Sequence, residues 1–327
     1  MAVRKEFHFL SSDGKTRLRA VCWMPETGRP RGVVQITHGM VEFMERYEEF
    51  AEYMTGCGYV VAGHDQLGHG NSVSSEREYG FFAEKEPGSC LVRDIHRLRR
   101  ILEREYPGLP RFMLGHSMGS FLTRRYITRY GGGLSGVVLT GTGCIPGAAA
   151  AAGLVLVRLV SAVYGGYYRS RLVERLIFSG GYRQYDMSGK NPEKSWLTRD
   201  VQKVSEYRSD PRSRFSFTMN GYRGLLETVL CAGRLSYMRR IPSGLPVLLL
   251  SGSGDPLGGF GRGVLKVKRL LQKAGVEQVE CKIYRGCRHE VLNELNRNEV
   301  FGDIAGFFRS CAVPDNNNTK EYSDAGI

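Results

Sequence analysis

The sequence predicts an α/β protein with a mostly parallel sheet, helices on both faces, and a helical insertion between two stretches of core. Three observations carry this. Short apolar strands alternate with amphipathic helices from residue 32 to residue 139, which is the rhythm of a parallel sheet buried on both faces. No strand pattern occurs between about Pro146 and Ile241. The alternation resumes at Val247 and runs to Arg309.

Residues Glu6 to Trp23 alternate around Ser12-Asp13-Gly14, which predicts an N-terminal hairpin. Gly32–Thr37 reads as a short strand ending in His38-Gly39-Met40. Tyr47, Phe50, Ala51 and Met54 recur at helical spacing, and Gly56 and Gly58 stop that helix before a strand over Tyr59–Ala62. Leu91, Ile95, Leu98 and Leu102 mark one face of the next helix, which ends at Pro107. Phe112–Leu114 predicts a strand, Phe121–Tyr130 a helix, and Val137–Leu139 another strand.

The insertion carries apolar helical stretches at Ala148–Val157, Val173–Phe178 and Leu225–Leu230. A strand over Val247–Leu250, a helix over Val264–Ala274, a strand over Val279–Tyr284 and a last helix from Val291 to Arg309 follow it. The core is therefore expected over 1–145 and 242–312, the insertion over 146–241, and a flexible polar tail over 313–327. Residues 146–168 are nearly uncharged, but the run before Arg158 is shorter than the roughly 18 residues a membrane span needs. A pocket-lining, interface-touching or ordinary core helix is expected there instead.

Composition narrows the function classes. Apolar residues make 42% and charged residues 24% of the 327, an ordinary globular balance that excludes a disordered or fibrous chain. The 46 Lys+Arg outnumber the 33 Asp+Glu to give +13, and 35 of those bases are arginines scattered along the whole length. A nucleic-acid binder would need them gathered on one face, so no nucleic-acid partner is expected. No pair among the eight cysteines forms a C-x-x-C, which leaves zinc ribbons and thioredoxin-like redox motifs unsupported. The N-terminus runs into a strand pattern without an apolar signal region, so a cytoplasmic location with reduced thiols is expected.

Leu114-Gly115-His116-Ser117-Met118-Gly119 sets G-x-S-x-G between an apolar strand and a helix. Such a turn lifts the serine hydroxyl out of the sheet, and the helix N-terminus favours developing negative charge. A serine hydroxyl needs a base that a carboxylate orients, and in this kind of sheet the partners follow in the order Ser, Asp, His. His289 is the only one of seven histidines after Ser117, in a loop between a strand and the last helix. Asp255 directly follows the Val247–Leu250 strand, whereas Asp186, Asp200 and Asp210 lie in the insertion; its structural alternative is a turn residue before Pro256. The oxyanion donors are expected to be the backbone N–H groups of Met118 and Met40. Asp65 to Ser72 reads as a braced turn, because nothing at ligand spacing completes a metal set. No phosphate loop occurs, so neither metal nor cofactor is expected.

His38-Gly39-Met40, Asp65-x-x-Gly68-His69-Gly70-x-Ser72, Gly115 to Gly119, Gly254-Asp255 and Arg288-His289-Glu290 together resemble the monoacylglycerol lipase and lysophospholipase branch of the α/β-hydrolase superfamily, the serine aminopeptidase S33 type. The resemblance runs in order from about Phe7 to Arg309. It implies an eight-stranded core, a helical cap over an acyl pocket in residues 146–241, and Ser117, Asp255 and His289 as a catalytic triad. One departure is Glu42-Phe43, where the family commonly has Glu-His. The expected function is a serine hydrolase that transfers the acyl group of a lipid-like ester to Ser117, with a serine aminopeptidase or amidase as the alternative and a non-catalytic binding protein behind both. The expected partner is a small ester or lipid; Arg158, Arg169, Arg171 and Arg175, in or beside the apolar insertion, add contact with an anionic membrane surface.

Overall fold

The computed structural model of the protein describes residues 2–312, so the tail expected over 313–327 lies outside the described residues. β1 (Val3–Leu10) and β2 (Arg17–Met24) form the N-terminal hairpin, with Leu10 opposite Arg17. β3 (Gly32–Thr37), β4 (Tyr59–His64), β5 (Arg111–His116), β6 (Gly136–Thr140), β7 (Val247–Gly252) and β8 (Val279–Tyr284) complete a sheet in the order β1-β2-β4-β3-β5-β6-β7-β8. β2 runs antiparallel to both of its neighbours, and every other pairing is parallel. Strands β3, β4, β6 and β7 are buried along their whole length, in keeping with their largely apolar composition.

Side-chain alternation divides the core between the two faces of the sheet. Met113, Val137, Leu139, Val247 and Leu249 pack on one side with α2 (Pro87–Glu105) and α3 (Met118–Tyr130); Phe112, Leu114, Val138, Leu248 and Leu250 pack on the other with α1 (Glu48–Gly56). Each such fully buried side chain contributes about 1.5–3 kcal/mol of transfer free energy.

Between β6 and β7 the chain forms helices only: α4 (Gly147–Tyr164), α5 (Arg171–Ile177), α6 (Val201–Ser209), α7 (Met219–Gly233) and the short α8 (Leu235–Met238). Helix α6 was not expected, because Val204 is its one buried residue and no apolar stripe marks it; its signal is Asp200, whose side chain accepts from the N–H groups of Gln202 and Lys203. Helix α4 corrects the length argument made from the sequence. It runs 18 residues, long and apolar enough by length and composition to cross a membrane, and 17% of it is buried inside the fold. Arg158 does not interrupt it, since its guanidinium reaches out to Glu227 at 3.7 Å.

After β7 come α9 (Arg262–Lys273), β8 and α10 (Arg297–Ala312). The single helix expected from Val291 is in fact broken: one 3-10 turn covers Val291–Asn293 and α10 begins at Arg297. Glu294 causes the break. Its buried carboxylate accepts from the backbone N–H of Arg288 at 2.7 Å and from Arg199 Nε at 2.9 Å, which turns the chain aside before the helix starts.

Candidate active site

Because β3, β5, β7 and β8 run parallel, the segments that follow them gather at one edge of the sheet. Those segments carry His38-Gly39-Met40, Ser117, Asp255 and His289. Ser117 occupies φ 52°, ψ −119°, a conformation that a non-glycine residue holds only when its surroundings impose it. The strand and helix approach too closely here for side chains at the flanking positions. A Cβ on Gly115 would fall 2.4 Å from Thr123 Oγ1, and one on Gly119 would fall 1.9 Å from the Thr37 carbonyl oxygen.

Asp255 and His289 are brought together: Nδ1 of His289 lies 3.0 Å from Oδ1 of Asp255, and both side chains are buried. The same carboxylate oxygen accepts the Leu257 N–H at 2.9 Å, which leaves the aspartate fixed before the histidine arrives. With its proton on Nδ1, the ring keeps Nε2 as a bare acceptor. Nε2 is buried and has no hydrogen-bond partner among the described residues. The Trp196 ring packs 4.7 Å from the His289 ring, and the backbone N–H of Glu290 donates to the Leu197 carbonyl at 2.7 Å, so a loop of the insertion holds the histidine loop. Burial opposes the imidazolium, but the Asp255 charge and hydrogen bond, with Glu290 and Glu42 behind them, outweigh it and raise the His289 pKa above the ordinary value.

Ser117 and His289 line one cavity of about 690 Å³, although no hydrogen bond joins them. Contacts of this kind commonly tighten only when substrate is bound. Away from Ser117 and His289 the cavity wall is apolar, formed in part by Ala150, Leu156, Val157, Leu176, Leu225 and Val229. The amides of Met118, the first residue of α3, and Met40 donate to no protein acceptor among the described residues. Asp65, read as bracing a turn, accepts from the N–H groups of Met44 at 2.8 Å and Asn71 at 2.9 Å, while His69 is buried among Phe82, Phe215 and Phe217.

Sequence reasoning missed a group of buried polar residues behind the histidine. Glu42, His116 and Glu290 present ligand-capable atoms within 4.8 Å of one another. A guanidinium already occupies their midst: Arg46 lies 2.5 Å from Glu290 and 3.5 Å from Glu42. One guanidinium thus bridges the two carboxylates and already takes the place a cation would fill. Glu42 and Glu290 sit beside motifs legible in the sequence, but nothing there pairs Arg46 with a residue 244 positions away.

The sheet order, the strained serine between strand and helix, and the Asp–His pair on the neighbouring loops define an α/β-hydrolase. A model of the serine aminopeptidase S33 family matches residues 28–296, and the chain belongs to that family. It is 29% identical over 305 residues to the monoacylglycerol lipase of Mycolicibacterium smegmatis, covering 93% of this chain and 96% of that one. It is 28% identical over 304 residues to the human monoglyceride lipase, covering 91% and 88%. Among solved structures, a thermostable carboxyl esterase from Bacillus coagulans in complex with glycerol superposes with a TM-score of 0.86 at 30% identity, covering 96% of this chain and all of that one. The yeast monoglyceride lipase, at 21% identity and a TM-score of 0.76, shares the fold.

Proposed function

We propose that this ester hydrolase works by acyl transfer to Ser117 and that its substrate is a single-chain lipid ester such as a monoacylglycerol or lysophospholipid. The observation that carries the reading is His289, held by the buried Asp255, in the wall of a largely apolar cavity that Ser117 also lines. Nε2 of His289 takes the Ser117 proton as Oγ attacks the ester carbonyl, and Asp255 holds the resulting imidazolium. The Met40 and Met118 N–H groups stabilise the tetrahedral oxyanion. The imidazolium then protonates the leaving alcohol, and water repeats the sequence to release the fatty acid. The insertion acts as a cap whose α4, α5 and α7 line the acyl site. The names of the relatives support the lipid class, as does the apolar lining.

Ser117→Ala is expected to abolish p-nitrophenyl ester turnover and fluorophosphonate labelling; labelling retained in that variant overturns the assignment. An aminopeptidase reading draws on Glu42 and Glu290, two carboxylates in the cavity wall. Both carboxylates are already engaged by Arg46, and Glu42 also by Gly39 and Tyr47, so the ester reading is preferred. Faster turnover of an aminoacyl anilide than of a matched ester would reverse that preference.

The outer faces of α4 and α5 expose Val155, Leu159, Val163 and Leu172, with Arg158, Arg171 and Arg175 among them. This combination supports peripheral docking on an anionic lipid surface, from which a single-chain lipid could enter the cavity. We further propose a reducing, cytoplasmic location, in which the eight cysteines stay as thiols.

A further inference from the structure

The loop that supplies the Met40 amide is held at both of its peptide units. His38 Nε2 accepts the Gln66 N–H at 2.9 Å, so the ring proton resides on Nδ1 and is donated to the Gly39 carbonyl at 2.8 Å. Burial keeps the His38 pKa well below the ordinary value, and the ring stays neutral. A trans peptide is planar, so fixing the Gly39 carbonyl also fixes the opposed N–H of Met40. The preceding unit is held from the other side: the Gly39 N–H donates to Glu42 Oε2 at 2.6 Å, and the Tyr47 hydroxyl donates to the same oxygen at 2.9 Å.

Four further facts show that the Glu42 carboxylate is a fixed point. It is buried, and Arg46 ties it to Glu290, the residue after the catalytic histidine. Val41, between Met40 and Glu42, sits at φ 59°, a conformation that a β-branched residue adopts only under constraint. A Cβ on Gly39 would lie 2.6 Å from Glu42 Oε2 and 3.0 Å from Ser117 Cβ, so the carboxylate, the loop and the nucleophile are in packed contact.

The geometry points to Glu42 as the positioning residue of the oxyanion hole: its carboxylate, braced by Tyr47 and cross-linked through Arg46 to the His289 loop, aims the Met40 N–H at the reacting carbonyl. Glu42 itself touches no reacting atom. The inference rests on acyl transfer through Ser117, and the Ser117→Ala experiment tests that reading separately.

The test compares Glu42→Ala, Glu42→Gln and Tyr47→Phe for ester turnover and for inhibition by an alkyl trifluoromethyl ketone, which forms the oxyanion on Ser117. Loss of an oxyanion donor lowers kcat by about 10²–10³. Glu42→Ala is expected to lower kcat about 100-fold with KM changed less than about threefold, and to weaken the ketone by a matching factor. Glu42→Gln retains an oxygen for the Gly39 N–H and is expected to recover all but about tenfold of the loss. If Glu42→Ala does not fold, Tyr47→Phe carries the test, with kcat expected about three- to tenfold lower at unchanged KM. A kcat within twofold of the parent in whichever of these two variants folds, ketone affinity unchanged while kcat falls, or equal losses in the Ala and Gln variants would each overturn the inference.

Discussion

Oδ1 of Asp255 and Nδ1 of His289 stand 3.0 Å apart with both side chains buried, and that single contact decides which nitrogen of the ring is left without a partner. Asp255→Asn presents an amide that can donate to Nδ1, which would move the ring proton to Nε2 and remove the base. The expected loss is about 10³–10⁴ in kcat at neutral pH, by analogy with the same change in other Ser-His-Asp sites. Retention of more than about a tenth of the parent activity would refute the assignment of Asp255.

If His289 is the base, its raised pKa is expected to set the acid limb of kcat/KM. The base must be neutral, so activity falls as pH drops through a midpoint above that of an ordinary histidine. Glu290 favours the imidazolium, and Glu290→Gln is therefore expected to move the limb to lower pH. A pH–rate profile with the limb unmoved or shifted upward contradicts this account of the shift.

Glu294 anchors the histidine loop to the insertion by accepting from Arg288 and Arg199. Glu294→Ala leaves the part-buried N–H of Arg288 unpaired, and a cost of about 2 kcal/mol is expected in urea unfolding. Glu294→Gln, which keeps an acceptor, is expected to recover about half of it. Equal stability of the Ala variant and the parent would show that the loop is held by other contacts.

Ala150 is buried in α4 and lines the cavity. Ala150→Phe is expected to raise KM for twelve-carbon and longer acyl esters at least tenfold while leaving butyrate esters within about threefold, because added bulk obstructs a long chain before a short one. A uniform change across a p-nitrophenyl ester series would argue that the acyl chain takes another route.

The exposed arginines of the insertion should govern binding to anionic vesicles. At about 1 kcal/mol per basic residue near such a surface, replacing Arg158, Arg171 and Arg175 with Gln is expected to weaken partitioning about 100-fold at low salt. Vesicle sedimentation that detects no difference between anionic and neutral lipids in the parent would dispose of this surface.

Much of this molecule is written locally. The parallel core strands follow from apolar runs, and the hairpin follows from Ser12-Asp13-Gly14 between alternating stretches, because burial and turn chemistry act over a few residues. Ser117 was legible from its flanking glycines and their strand–helix context, and His289 stood out because no other histidine follows the serine. Helix α6 and the break at Glu294 were not legible: the first has one buried residue, and the second depends on an acceptor whose donors come from two other segments.

The amino-acid order alone thus determined the layering of the sheet and the identity of the three residues expected to do the chemistry, since these depend on local periodicity and on chain order. Only the tertiary structure decided how they are held. The 3.0 Å aspartate–histidine contact, the Glu42 bond to the Gly39 amide and the Arg46 bridge to Glu290 join segments that meet because parallel strands deliver their ends to one edge. Hydrogen bonds and ion pairs are contacts of a few ångströms, and no spacing along the chain encodes which distant carboxylate a buried guanidinium will find.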